Sequence, residues 1–194
     1  MKCLLLTCFA FIVINVYCQD TGKPYYFKQV GWRIHLPYAF KILDSTAEAA
    51  VNEKGKKVIE STLDTEVDVS STITLFSATL NVYNYLNATI TPYNPSVDGD
   101  WNESSALMKN TVMEAFAQNM QDVKLDSSSS KVTIDGLSFD KFEVTAQIDG
   151  KVIFTTVILS KLYNGYDFGI SYLYMDDKTK KMIQETLGSS NFKQ

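Results

Sequence analysis

The last third of the chain alternates between apolar and polar residues in a pattern typical of antiparallel strands. Asx–Gly pairs stand at 135–136, 149–150 and 164–165, between apolar and β-branched stretches. Such pairs supply the positive φ of two-residue hairpin turns, so three in series predict a four-stranded meander from about Lys131 to Met175. Strict alternation over 142–148 predicts a strand with one polar face. Apolar residues on both faces of 152–159 predict a central, covered strand.

Apolar residues at helical spacing predict three helices, at residues 47–63, 103–121 and 177–187. Asp100 and Glu103 form a capping box before the second of these helices. An aspartate cap, an Asp177–Lys181 pair and Gly188 at the C′ position are predicted to bound and support the third.

Short strands are predicted at residues 25–28, 32–36, 40–43, 72–77 and 82–93, and Phe192 is expected to fold back onto the core. The serine run Ser127–Ser130 is predicted to be a surface loop. The order of elements therefore predicts an α+β fold: a mostly antiparallel sheet with a C-terminal four-stranded meander, flanked by about three helices.

The first eighteen residues have the composition of a signal peptide. Lys2 precedes an apolar run from Cys3 to Val16, which is too short to span a bilayer, and cleavage is predicted after Cys18. A single domain would then occupy residues 19–194, exported to the periplasm or the exterior. Two alternatives stay open: a lipoprotein that retains Cys18, or a buried first helix.

Charge narrows the classes of partner. Loss of Lys2 with the signal would leave 17 basic against 22 acidic side chains. This balance argues against nucleic acid and anionic lipid as partners. The basic cluster of Lys54, Lys56 and Lys57 is interpreted as a solvated helix face, with an acidic partner as the alternative. The sequence has no second long apolar run, so no integral membrane span is expected.

Four segments carry a resemblance to known proteins. They are YYFKQVGWRIHLP (25–37), NEKGKKVIE (52–60), SKVTIDGL (130–137) and SSNFK (189–193). These segments resemble small exported proteins of Bacteroidota-type bacteria, and the order of elements is similar to the PsbP-like α/β/α sandwich. The resemblance implies this fold and an exported location, with binding or assembly roles rather than one chemistry.

Catalytic residue types are scarce. All three cysteines lie in the predicted signal, and His35 is the single histidine, interpreted as a polar strand residue. The sequence carries neither phosphate-binding glycine motif, so no cofactor is predicted. An enzyme would have to use carboxylates, and a small glycan hydrolase built from Asp98, Asp100, Asp167 and Glu143 is the alternative function.

Asp98, Asp100 and Glu103 are the candidates for a calcium site. The first two match positions of an EF-hand loop, but Glu103 stands where that loop requires glycine, so only a looser site is considered. The competing interpretation is a turn and a helix cap, with acidic residues at the positive end of the helix dipole.

The final predicted strand suggests a ligand surface. Tyr166, Phe168, Tyr172 and Tyr174 share one face of it, and tyrosine combines a large contact area with a polar tip. Core packing is the competing explanation. The favoured hypothesis is an exported, non-enzymatic domain that binds a protein or glycan through the sheet or the groove beside this strand. A cell-envelope assembly factor is a third possibility.

Overall fold

The computed structural model describes residues 22–193, so the predicted signal and lipoprotein cysteine lie outside the described residues. The strands and helices follow in this order: Lys23–Phe27 (β1), Trp32–Leu36 (β2), Lys41–Ile42 (β3), Ser45–Leu63 (α1), Ile73–Thr79 (β4), Tyr85–Pro92 (β5), Pro95–Asp98 (α2), Trp101–Asn119 (α3), Lys124–Ile134 (β6), Leu137–Ile148 (β7), Lys151–Tyr163 (β8), Tyr166–Tyr174 (β9), Asp177–Gly188 (α4) and Asn191–Phe192 (β10).

The elements form three layers. The middle layer is a seven-stranded antiparallel sheet in the order β3-β4-β5-β9-β8-β7-β6. One of its faces is covered by α1 and α3, which contact each other. The other face is covered by a three-stranded sheet, β1-β2-β10, and by α4, which packs on β2 and β9. The prediction of an α+β fold with a mostly antiparallel sheet is confirmed.

The meander forms where the turn residues place it. All three Asx–Gly pairs have positive φ at both positions, from 46° at Asp135 to 79° at Gly136. β8 lies between β7 and β9, as its two apolar faces predicted. The prediction of a loop at Ser127–Ser130 is wrong, because these serines lie inside β6 and pair with residues 141–144 of β7. Cross-strand hydrogen bonding outweighs the modest strand preference of serine.

The helix ends differ from the predictions in two respects. α4 begins after Asp176, whose carboxylate accepts the backbone N–H of Thr179 at 2.8 Å. Gly188 continues the helix instead of ending it, and Ser189 is the C-cap in a right-handed conformation. Lys181 pairs with Glu185 at 3.7 Å rather than with Asp177. In α3 the capping aspartate is the predicted one, Asp100.

Aromatic side chains fill the core between the two sheets. Trp32 is fully buried and contacts Phe168 edge to face at 5.4 Å and Phe192 by stacking at 5.9 Å. Its indole N–H donates to Ser190 Oγ at 2.9 Å. The chain end is therefore fastened to the middle of the small sheet, and the prediction that Phe192 folds back onto the core is confirmed.

Candidate functional site

Strand β9 presents different chemistry on its two faces. Its aromatic face points into the core, where Phe168 is fully buried and Tyr172 and Tyr174 are 4% and 8% exposed. Tyr166 is partly buried against the same cluster. Burial raises the pKa of Tyr172, and the nearby Tyr174 and Glu143 raise it further. The aromatic residues predicted to form a ligand surface therefore pack the core.

The opposite face of the sheet carries a polar depression near one end of α3. Its volume is about 240 Å³. Strands β6, β7 and β8 supply most of its walls, and the N-terminal residue of α3 overhangs it. The lining residues are Trp101, Lys131, Ser138, Asp140, Ser160, Lys161 and Leu162. Hydroxyl, carboxylate and ammonium groups thus surround one indole ring.

Trp101 is held in place by a carboxylate of β9. Its indole N–H donates to Asp167 Oδ1 at 3.3 Å, and Asp167 pairs across the sheet with Leu162, another wall residue. Burial raises the pKa of Asp167 above its usual value of 3.8, and the indole bond offsets part of this rise. Asp100 caps the first turn of α3 by accepting the backbone N–H groups of Asn102 and Glu103. The cap positions the backbone of Trp101, and the bond to Asp167 positions its ring.

The carboxylate in the wall of the depression, that of Asp140, is paired with a lysine. Asp140 Oδ1 lies 2.9 Å from Lys131 Nζ on the neighbouring strand. Asp140 pairs with Ser160, which in turn pairs with Gly169 of β9, so the three stand in one row across the sheet. Lys161 Nζ donates to the Ser138 carbonyl at 3.1 Å. The depression therefore carries hydrogen-bond donors and acceptors together with positive and negative groups.

The remaining hydrolase and calcium candidates are not assembled. Glu143 is the strand partner of Val157, which is the partner of Tyr172, so Glu143 lies on the core-facing side of the sheet, opposite to Asp167. Its carboxylate lies 2.6 Å from Lys141 Nζ. Asp98 accepts the Asn94 N–H at 2.6 Å. Across residues 22–193, no three His, Cys, Asp or Glu side chains converge to hold a metal ion. The carboxylates of Asp98 and Asp100 act on backbone N–H groups instead.

The other singled-out residues lie away from the depression. His35 is on the exposed face of the small sheet, in a row with Pro24. Lys56 and Lys57 pair with glutamates of their own helix at 3.5 and 3.3 Å, as expected for a solvated face. None of the helices within 22–193 is long and apolar enough to cross a bilayer.

The comparisons with known proteins concern the fold. No family model and no curated protein matches the chain. Its structure is similar to that of CyanoP, the cyanobacterial PsbP of Synechocystis sp. PCC 6803. That match has a TM-score of 0.55 and 12% identity, and it covers 97% of this chain and 99% of CyanoP. The PsbP-like fold expected from the sequence is confirmed.

Two more distant structural matches were found. One is a protein of Bacteroides thetaiotaomicron VPI-5482, with a TM-score of 0.47, 10% identity and 90% coverage of this chain, which spans about half (49%) of that protein. The other is LpqN of Mycobacterium tuberculosis, described as involved in cell envelope biogenesis. That match has a TM-score of 0.42 and 10% identity, and it covers 88% of this chain and 90% of LpqN. Identities this low relate folds and carry no activity from one protein to another.

Among the residues in and around the depression, Asp167 was a candidate from the sequence, whereas Trp101, Lys131, Asp140 and Ser160 were not. One signal was present. Asp140 lies two residues before Phe142, so strict alternation places a carboxylate on the apolar face of β7. A charged residue in such a position commonly marks a partner or a site. The partners of Asp140 come from β6 and β8, and only the register of the sheet reveals them.

Proposed function

We propose that this protein is an exported, non-catalytic recognition domain whose polar depression receives one saccharide unit of a larger glycan. The overhanging Trp101 carries this proposal. An indole ring beside closely spaced hydroxyl, carboxylate and ammonium groups suits a ring that has an apolar face and hydroxyls at its edge. The volume of 240 Å³ is below the roughly 300–1,000 Å³ of small-molecule pockets, which favours one unit of a longer ligand.

The existing bonds within the site favour binding over hydrolysis. Asp167 faces Trp101 and Asp140 faces Lys131, so each carboxylate already has a partner. The two aspartates are two strands and two residues apart, which places their Cα atoms roughly 12 Å apart at standard sheet spacing. Paired carboxyls of glycosidases stand roughly 5–9.5 Å apart. A hydrolase would need both side chains to leave their present partners and turn toward each other.

The test uses the two tryptophans as paired probes. Trp101 stands at the depression and Trp32 in the core, and the chain has no third. The ¹⁵N–¹H signals of the two indoles are followed while a panel of neutral and acidic oligosaccharides is added. We expect a binding oligosaccharide to move the Trp101 signal and leave the Trp32 signal in place.

Matched variants locate the binding. Asp140→Asn is expected to weaken binding at least tenfold, because it loses the charge that holds Lys131. Asp149→Asn, at a hairpin turn that asparagine also tolerates, should bind as the parent does. The proposal fails if no oligosaccharide moves the Trp101 signal, or if both indole signals move together.

A carboxylate hydrolase is the second candidate, because the raised pKa of Asp167 is a property of general acids. Asp167→Asn separates the two functions. A hydrolase would lose turnover of the same oligosaccharides, whereas a recognition domain releases no product before or after the substitution.

Export is part of the proposal, and its support is the sequence of residues 1–18. Mass spectrometry of protein recovered from the producing cells tests it. We expect an N-terminus at Gln19. An intact Met1 on protein from the cytosol would refute export, and a lipid on Cys18 would replace secretion with membrane anchoring.

A further inference from the structure

Charges of opposite sign are concentrated in different segments of the chain. Residues 22–43, which form β1 and β2 of the small sheet and the edge strand β3, include four basic and no acidic side chains. Residues 44–122 hold twelve acidic and four basic ones. The net charge of −4 therefore hides a basic layer, formed by the small sheet, on one side of the molecule. A surface responds to local charge rather than to the total.

The outer face of the small sheet is exposed. Trp32, Ile34 and Leu36 of β2 are buried against the core, so the residues between them point outward. Arg33 lies over the ring of Tyr26 at 5.1 Å, and Tyr26 is 50% exposed. We define the basic face as Tyr26, Lys28, Arg33, His35 and Lys193, all of which are exposed.

The turn between β1 and β2 and the C-terminal end of the chain add the positive charges of Lys28 and Lys193 to the basic face. Lys193 N–H donates to the Gly31 carbonyl at 2.8 Å, which puts Lys193 beside the turn that carries Lys28. Asp135 is the acidic residue at this edge, and its carboxylate already accepts the Phe192 N–H at 2.7 Å. The single negative charge of Asp135 is outnumbered by those of Lys28, Arg33 and Lys193, so the face is net positive.

We propose that the basic face docks on an anionic phospholipid surface. Charge complementarity and an exposed tyrosine suit the headgroup region of a bilayer. The cationic side chains are spread over one exposed face beside Tyr26. This distribution suits a surface with many fixed negative charges better than a single acidic side chain, which favours lipid over an acidic protein as the occupant.

Vesicle co-sedimentation tests the proposal. The protein as recovered from cells is mixed with phosphatidylcholine vesicles that contain either no or about one third phosphatidylglycerol. We expect binding to the anionic vesicles that weakens as salt rises, and much weaker binding to the neutral vesicles. An apolar N-terminus would bind both kinds of vesicle, so the difference between them isolates the charge effect.

Two charge-matched triple variants locate the docking face. Lys28→Gln, Arg33→Gln and Lys193→Gln together should lower partitioning onto anionic vesicles about 100-fold, since each basic residue near the surface contributes about fivefold. The helix cluster supplies the control, because Lys54→Gln, Lys56→Gln and Lys57→Gln remove the same charge from α1, away from the basic face. This control should bind as the parent does.

Three outcomes would overturn the proposal: equal binding to both kinds of vesicle, equal losses in both triple variants, or capture of an acidic protein through the basic face without binding to vesicles. If the first triple variant unfolds, Arg33→Glu alone should still abolish docking, with circular dichroism verifying the fold.

Discussion

Phe192 fastens the C-terminal end of the chain to the core, and replacing it tests the packing of the small sheet. Its ring is 7% exposed and lies between 5.8 and 6.1 Å from the rings of Trp32, Phe139, Tyr163 and Phe168. Phe192→Ala removes this ring from a packed cluster. Buried Phe→Ala substitutions cost about 3–5 kcal/mol, because transfer and cavity costs add. We expect a loss in this range.

The assay is urea unfolding followed by circular dichroism, with thermal melting as a second measure. For a domain of 150–250 residues, 1 kcal/mol corresponds to about 2–4 °C, so the melting temperature should fall by about 6–20 °C. Tyr38→Ala is the control, because Tyr38 is 73% exposed, and it should stay within about 0.5 kcal/mol of the parent. A loss below about 1 kcal/mol for Phe192→Ala would refute the packing described for the chain end.

Three further predictions concern local features. Asp167→Asn should raise the free energy of unfolding at neutral pH and leave it unchanged below pH 3.8, because the raised pKa of Asp167 makes its ionisation unfavourable in the fold. Asp176→Ala should lower the free energy of unfolding at neutral pH but not below the lowered folded pKa of Asp176. Urea unfolding from pH 2 to 8 measures both effects. Gly55→Ala in α1 should raise the free energy of unfolding in urea by about 0.5–1 kcal/mol, because no atom outside the neighbouring backbone of its own helix lies within 4 Å of the new methyl group. Asp100→Ala should cost about 1 kcal/mol as a lost cap, equally with and without millimolar calcium in thermal melting.

Each of these predictions has a contradicting result. A flat pH profile for the difference between Asp167→Asn and the parent would show that burial does not shift this carboxyl. Gly31→Ala is the opposite control for Gly55, since its φ is +62° and a methyl group would lie 2.7 Å from the Lys193 carbonyl oxygen, so it should destabilise. A parent melting temperature that rises with calcium, and does so only while Asp100 is present, would restore the calcium hypothesis.

Local chemistry explains which parts of the fold could be predicted. Asx–Gly turns and aspartate caps depend on a few neighbouring residues, so the meander and the starts of the helices follow from the sequence. The serines of β6 depend on a partner strand, which local propensity does not contain. Gly188 was predicted to end the last helix, but the helix continues through it to the C-cap Ser189. Ser190 then stays packed against α4, with its Oγ donating to the Leu187 carbonyl, and the sequence does not show this contact.

The candidate site was harder to predict because its parts are far apart in the chain. Trp101 and Asp167 are 66 residues apart, and only the register of β8 and β9 beneath the first turn of α3 brings them together. Alternation alone placed the residues of β9 on two faces, but the layer that covers each face is a long-range property. The aromatic face was therefore the more visible signal, although the polar face carries the depression.

The division of labour within β9 allows the two roles to be separated by mutation. Asp167 and Phe168 are neighbours in the chain that point to opposite sides of the sheet, one toward Trp101 and the other toward Trp32. Gly169 has no side chain on the polar side of β9, where a methyl group would lie 3.3 Å from Thr89 Oγ1. Changes at Asp167 should thus alter recognition while the core stays packed, whereas changes at Phe168 should weaken the fold before they affect recognition. A ligand that bound the aromatic face would require the small sheet to leave the core, and binding would then fall as that core is stabilised.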